Sequence, residues 1–315
     1  MKIVILNECF FQPEHLERLS ALGEVEVFTD TSTPEQATER LRGADVGIVD
    51  QFLLPYDEKV LSALRSLKLL ALNTTSFAYV DIEAAKKQGI QVTNAAGFST
   101  RAVAEHVFAL IFAIVRRIVL ADQTVRAKPF EVDPGEPSHR KFEGFELQGK
   151  TLGILGLGKI GNEVASIGAS LGMEILAYNR TQKPVPGGQM ASLKDVLKNS
   201  DVISINLALN EQTRHIIDET ALGQMKPNAI LVNAAVGGHV EAEALYQALK
   251  SGRIAGAGLD VLEPIDAKHP IFRLENVVFT PHIGFFTRES TQNLPGIITS
   301  NVEAFVAGHP LNLVN

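Results

Sequence analysis

The residues with the clearest chemical potential stand in one short run. Gly156-Leu157-Gly158-Lys159-Ile160-Gly161 follows the apolar stretch Leu152 to Leu155 and opens a helical segment, Lys159 to Leu171. Strand, glycine-rich turn and helix in that order form the setting in which G-x-G-x-x-G holds a pyrophosphate. Gly156 permits the tight turn, Gly158 lets backbone approach the phosphates, and Gly161 lets the helix pack on the strand. The helix N-terminus, with Lys159 and Ile160 in its first turn, then offers amide donors to the anion. The bland alternative is a flexible glycine loop, and the strand and helix around it argue against that.

A dinucleotide site that prefers NAD carries an acidic side chain roughly 20 residues further on, at the end of the second strand, to accept the ribose hydroxyls. In Leu176-Ala177-Tyr178-Asn179-Arg180-Thr181 that carboxylate is absent. Asn179 takes its place, with Arg180 and the Thr181 hydroxyl alongside. Losing a negative charge and gaining a guanidinium suits the 2'-phosphate of NADP, which arginine grips with a fork of donors. NADP(H) is therefore the expected cofactor, with NAD(H) as the alternative; the competing reading of Arg180 is a solvated loop residue.

These residues need a parallel sheet to hold them. Short β-branched runs at Lys2 to Leu6, Val25 to Phe28, Val46 to Val49, Leu67 to Leu72 and Ile90 to Thr93 alternate with helical stretches such as Pro34 to Leu41 and Asp81 to Gln88. Asp81 reads as an N-cap and Gly89 as a C-terminal stop. A second series follows: strands at Thr151 to Leu155, Glu174 to Tyr178, Asp201 to Asn206, Ala229 to Asn233, Gly256 to Asp260 and Val277 to Thr280, with helices including Glu241 to Ser251. Between the two series, Thr100 to Arg126 is long, apolar on more than one face and free of Gly and Pro, which predicts one mostly buried helix joining two domains. Lys128 to Gly149 reads as a surface excursion. Arg288 to Asn315 reads as a helix returning to the first domain. The expected fold class is α/β, with two Rossmann-like or flavodoxin-like domains of doubly wound parallel sheet. Residues 1–98 plus 289–315 make the outer, substrate-type domain and 99–288 the dinucleotide-binding domain.

Bulk properties narrow the partners. The chain has 315 residues, more than one core usually supports. A net charge of -7 would repel a phosphate backbone, so nucleic acid is not expected. Met1 to Leu6 is too short for a signal h-region or a membrane span, which makes a cytoplasmic location the expectation and a membrane partner not one. The single cysteine, Cys9, excludes an intrachain disulfide framework and a cysteine-based zinc site, and reads as core packing. The histidines are scattered without metal-ligand spacing, so no metal is expected.

Gly144-Phe145-Glu146-Leu147-Gln148-Gly149-Lys150-Thr151-Leu152-Gly153-Ile154, leading into the glycine loop, resembles the D-isomer-specific 2-hydroxyacid dehydrogenase family. Val80 to Ala85, Thr100 to His106, Met225-Lys226-Pro227, Thr280-Pro281-His282-Ile283-Gly284 and Gly308 to Asn312 resemble family segments in the family's order, covering nearly the whole chain. Among subfamilies the chain is most similar to glyoxylate and hydroxypyruvate reductases. The resemblance implies reversible hydride transfer between a nicotinamide and a small 2-oxo acid, with a histidine as proton donor, a glutamate that orients it, and an arginine on the substrate carboxylate. It makes His282 the catalytic histidine. It adds Asn206, Asn233, Ala235, Asp260, His282 and Gly284 to the cofactor-binding residues, and Thr75, Ser76 and Phe77 as the substrate loop. It also implies a homodimer paired through the dinucleotide domain.

The same resemblance exposes departures. Asn233-Ala234-Ala235-Val236-Gly237-Gly238-His239 puts Val236 where the arginine stands, and counting from Asp260 puts Ile265 where the glutamate stands. Glu263 or Asp266 could serve His282 if the register slips. Arg101 and His239 are the cationic candidates to replace the arginine, while His106 reads as an ordinary helix residue. Ser76 replaces a usual glycine, Asn206 and Ala208 replace a common histidine and proline, and Phe285-Phe286 replace small residues. Together these suggest a repurposed pocket in which ordinary 2-oxo acid chemistry is doubtful. Three readings follow: an NADP(H)-dependent reductase of a less acidic carbonyl or related compound; a catalytically impaired, dinucleotide-sensing regulatory protein; and an ordinary dehydrogenase whose charges come from shifted loops.

Overall fold

The computed structural model describes residues 1–7, 10–50, 54–127 and 137–315. They divide into two compact units, one of Met1–Ser99 with Phe286–Asn315 and one of Thr100–Phe285. Cys9 and residues 128–136 of the expected surface excursion lie outside the described residues.

The first unit alternates β1 (Lys2–Leu6), α1 (Pro13–Ser20), β2 (Glu24–Phe28), α2 (Pro34–Leu41), β3 (Val46–Val49), α3 (Glu58–Ala63), β4 (Leu69–Leu72), α4 (Ile82–Lys87) and β5 (Gln91–Thr93). The strands form a sheet ordered β2-β1-β3-β4-β5, with every pairing parallel. That is the flavodoxin-like order. β3 and β4 are buried throughout, which is why their sequences are continuous apolar runs without alternation. Asp81 caps α4 by accepting from Ala84 N at 2.9 Å, and Gly89 follows the helix with φ of 72°.

In the second unit come α5 (Thr100–Val115), α6 (Ile118–Ala127), β6 (Thr151–Leu155), α7 (Lys159–Ser170), β7 (Glu174–Tyr178), β8 (Gly188–Met190), α8 (Leu193–Asn199), β9 (Val202–Ile205), α9 (Glu219–Gln224), β10 (Ile230–Asn233), α10 (Ala242–Lys250), β11 (Gly256–Leu259) and β12 (Val277–Phe279). Its parallel sheet runs β12-β11-β10-β9-β6-β7-β8, doubly wound outward from β6. The chain order reverses between β6 and β9, and such switch points are where open α/β sheets receive ligands. The short edge strand β8 has no apolar run to announce it in the sequence.

The single helix predicted over Thr100 to Arg126 is two. Arg117 takes a left-handed conformation with φ of 52°, and the freed Val115 carbonyl accepts from Phe145 N at 3.3 Å. Gly144 crosses so closely that a Cβ there would lie 1.8 Å from that carbonyl. Burial follows the break: α5 packs on the sheet through Val107, Ile111 and Ile114, whereas no residue of α6 is buried. The last helix, α11 (Arg288–Val306), belongs to the first unit and stops short of the chain end; residues beyond it pair with β5 through Leu313 and Thr93.

Replacing Asp81 by alanine removes one N-cap and leaves the rest of α4 intact. The expected cost is about 1 kcal/mol in denaturant-induced unfolding.

Candidate functional site

At the end of β6 the chain turns through Gly156 with φ of 101°, where a Cβ would lie 2.6 Å from the Asn206 carbonyl oxygen. A Cβ on Gly161 would lie 1.9 Å from the carbonyl oxygen of Gly156, so helix and turn meet backbone to backbone. Gly158, by contrast, faces open space, and as N-cap of α7 it supplies no side-chain bond to the helix amides. The three glycines thus divide their duties: two allow close packing and the third leaves amide donors for an anion. These features fit a bound pyrophosphate.

Asn179, at the end of β7, accepts from Leu157 N at 3.1 Å and donates to the Thr181 carbonyl at 2.9 Å and hydroxyl at 3.1 Å. It therefore locks the glycine turn onto the strand where the adenosine ribose of a dinucleotide would lie. Lys183, which no motif in the sequence marks, donates to the Leu157 carbonyl at 3.1 Å. Arg180 is exposed and makes no ion pair among the described residues. Nothing acidic occurs from Asn179 to Lys183, so both charged side chains of this run are basic.

The opposite half of the same sheet edge centres on Asp260, which leaves β11 only 3% exposed. Its Oδ1 accepts from the Thr280 hydroxyl at 2.6 Å and from Ile283 N at 2.9 Å, and its Oδ2 accepts from Gly284 N at 2.9 Å. His106 Nε2, on α5, stands 3.3 Å from Oδ1 and 2.9 Å from the Thr280 hydroxyl oxygen. Burial would raise the carboxyl pKa, but the bonds from His106, Thr280, Gly284 and Ile283 outweigh it and hold the group down to about 2. His106 is therefore more than a helix residue. A Cβ on Gly284 would press to 2.9 Å of Oδ2 and 3.2 Å of His106 Cδ2, so only glycine fits there.

The clamp positions His282. Its amide donates to the Asp260 carbonyl at 3.0 Å and its φ is 57°, a strained value for a residue with a side chain. The imidazole is exposed and meets Phe285 edge-on at 5.7 Å between centroids. On β10, Asn233 shapes the next loop by donating to the Val236 carbonyl at 3.0 Å and accepting from Ala235 N at 3.1 Å. Asn206 ends β9 with its amide group on Ser204.

Residues 108–284 match the model of the D-isomer specific 2-hydroxyacid dehydrogenase NAD-binding domain. The chain is 39% identical over 312 residues to the glyoxylate reductase of Thermococcus litoralis, covering 96% of this chain and 94% of that one. It is 37% identical to the glycerate dehydrogenase of Methylorubrum extorquens over 295 residues, 92% of each chain. Among solved structures, an acyclic imino acid reductase in complex with NADPH and D-Arg superposes with a TM-score of 0.93 at 34% identity over the full length of both chains. The chain belongs to the D-isomer-specific 2-hydroxyacid dehydrogenase family.

As a member of that family the protein is an NAD(P)-dependent oxidoreductase with a dinucleotide-binding domain at residues 108–284. Several residues expected to support His282 are committed elsewhere. Glu263 accepts from Ala242 N at 2.9 Å, holding the start of α10, and pairs with His215 Nε2 at 2.8 Å. Asp266 is exposed and closes a local turn through Lys268 N. Ile265 packs, partly buried, against a hydrophobic core of the second unit. Neither candidate cation is free: Arg101 holds both Glu105, at 2.6 Å, and Glu163. His239 is fully buried with Nδ1 on the Val236 carbonyl at 3.0 Å, and burial, against the pull of the Ala208 and Val236 carbonyls, lowers its pKa and keeps it neutral. Register distance in the sequence could not show either sequestration, since both depend on which elements meet.

The substrate loop lies in the first unit. Asn94 Nδ2 donates to the Thr75 carbonyl at 2.6 Å, the Thr74 hydroxyl donates to the Ser76 carbonyl at 2.8 Å, and Phe77 packs on the core of that unit. Among the described residues no group of three or more His, Cys, Asp and Glu could hold a metal ion, and no helix is long and apolar enough to cross a membrane.

Exchanging Asp260 for asparagine turns one acceptor against the amides of Ile283 and Gly284. The expected loss of stability near neutral pH is on the order of 2 kcal/mol. Because the folded carboxyl is held below its ordinary 3.8, this contribution is complete above that value and disappears as pH falls through about 2. Unfolding of the two proteins measured against pH should converge in that acid window.

Proposed function

We propose that this protein is an NADP(H)-dependent reductase that transfers hydride to a small carbonyl or related compound. The observation that carries the NADP(H) preference is the corner at Asn179, Arg180, Thr181 and Lys183. It presents a guanidinium, an ammonium and a hydroxyl where an NAD site presents a carboxylate. A 2'-phosphate would gain charged hydrogen bonds from Arg180 and Lys183 that a ribose hydroxyl could not repay. Support comes also from the superposed imino acid reductase, which holds NADPH and whose name adds C=N to C=O among the bonds a frame of this shape reduces.

Bound along the sheet edge, the dinucleotide supplies the hydride. The chain's own residues hold and orient it: the α7 amides take the pyrophosphate, and Asn206, Asn233, Ala235 and Gly284 lie along the edge toward the nicotinamide end. His282 is presented by the Asp260 clamp as the group that gives or takes the proton. Thr75, Ser76 and Phe77 serve the substrate. The protein acts in the cytoplasm as a homodimer paired through the dinucleotide-binding domain, where α5 and α6 leave Phe112, Ile118 and Val119 exposed. Light scattering that returns a monomer mass would remove the dimer.

Arg180→Ala should weaken NADPH binding by about tenfold to a hundredfold, the loss of a charged hydrogen bond, while NADH binding changes little. Nicotinamide fluorescence titration reads both. Equal losses for the two cofactors would reassign Arg180 to a general structural role. His282→Ala should abolish NADPH oxidation by any accepted substrate and leave cofactor binding intact. If no carbonyl or imine compound supports oxidation by the wild type while NADPH still binds, the protein is a dinucleotide sensor instead.

A further inference from the structure

Resting on the reading of the chain as an NADP(H)-dependent reductase, we propose that its electrophile is a protonated imine, formed from a small 2-oxo acid and an amine, and that its product is an amino acid rather than a hydroxy acid.

The argument is one of charge. Val236, Asp260 and His282 follow the carboxyl ends of β10, β11 and β12, adjacent parallel strands about 4.8 Å apart. Along this edge the fixed charge is negative: Asp260 is buried and held ionised by its donors. Two of the cationic candidates are spent. Arg101 is shared between two glutamates, His239 is buried and neutral, and the loop after β10 presents the aliphatic Val236.

Hydride addition to a carbonyl builds negative charge on oxygen, which needs a cation or strong donor beside it. Hydride addition to an iminium does the reverse. The reacting C=N group enters positive and leaves neutral, so a guanidinium at that bond would oppose binding and a buried carboxylate favours it. The proton requirement also changes. Glu263 is bound to Ala242 N and His215, and Asp266 to Lys268 N. An electrophile that arrives already protonated needs no tuned acid in the hydride step.

The step balances. The hydride carries an electron pair from the reduced nicotinamide to the imine carbon, and the C=N π pair moves onto nitrogen and cancels its charge. NADPH becomes NADP+, and the neutral amine then takes a proton from His282 or water. For the substrate carboxylate a guanidinium remains. Arg214 makes no ion pair among the described residues and approaches the loop at Gly238, its Nη1 lying 3.7 Å from where a Cβ on that glycine would sit.

The test incubates the purified protein with NADPH and pyruvate, with and without methylamine at alkaline pH, following nicotinamide absorbance and identifying the product by mass. The amine should raise the rate about a hundredfold or more, the scale of one missing electrostatic partner, and the product should be N-methylalanine. Equal rates with and without methylamine, giving lactate in both, would overturn the imine assignment and leave the reductase reading standing. No oxidation in either tube, with NADPH still bound by fluorescence, would overturn both. Val236→Arg, checked for retained NADPH binding, should slow the imine reaction and speed reduction of pyruvate itself; an unchanged ratio of the two would overturn the charge argument.

Discussion

A carboxylate buried to 3% exposure survives only where donors converge on it, and the functional edge of this protein depends on one such group, Asp260. Its two oxygens gather the Thr280 hydroxyl and the amides of Ile283 and Gly284, with His106 closing the far side. Those bonds hold His282 in a left-handed conformation that an isolated chain would rarely adopt. The close approach of His106 and Asp260 also explains why position 284 must be glycine. One ionised group thus fixes the geometry of the turn, stores its strain and sets the sign of the local charge.

The sheet supplies what the clamp cannot. Parallel strands deliver every loop of one polarity to the same edge, so Asn179, Gly156, Asn206, Asn233, Asp260 and Thr280 line up in the order β7, β6, β9, β10, β11, β12. Reversal of winding between β6 and β9 opens the edge at the uncapped start of α7. A dinucleotide lying along that line meets positive charge at Arg180 and Lys183, amide donors at α7 and a buried carboxylate at Asp260. Two ends of one cofactor therefore see opposite electrostatics. On the readings proposed above, the positive end serves an extra phosphate and the negative end an electrophile that carries its own positive charge.

Much of this was legible in the residues alone. Apolar runs of strand length marked every strand of the second sheet except β8, whose Gly188-Gln189-Met190 has no apolar signal to read. Asp81 and Gly89 marked the ends of α4 because capping and positive φ are local properties. The long apolar stretch from Thr100 misled for the opposite reason. Nothing local stops a helix at Val115, and the break comes from Gly144 and Phe145 arriving from elsewhere in the chain.

The sequence by itself determined the α/β class, the glycine cradle and the absence of an acid at Asn179, because each rests on residue type at a fixed spacing. Tertiary structure decided the fates of the charged candidates. Arg101 and Glu263 are separated in sequence from Glu163 and His215 by tens of residues, and only packing reveals that each is already paired. The same holds for His239, whose neutrality follows from burial, and for His106, whose value lies in reaching Asp260 across the fold. Charge is written in the chain, but whether it is available depends on neighbours and solvent, and these exist only once the chain has folded.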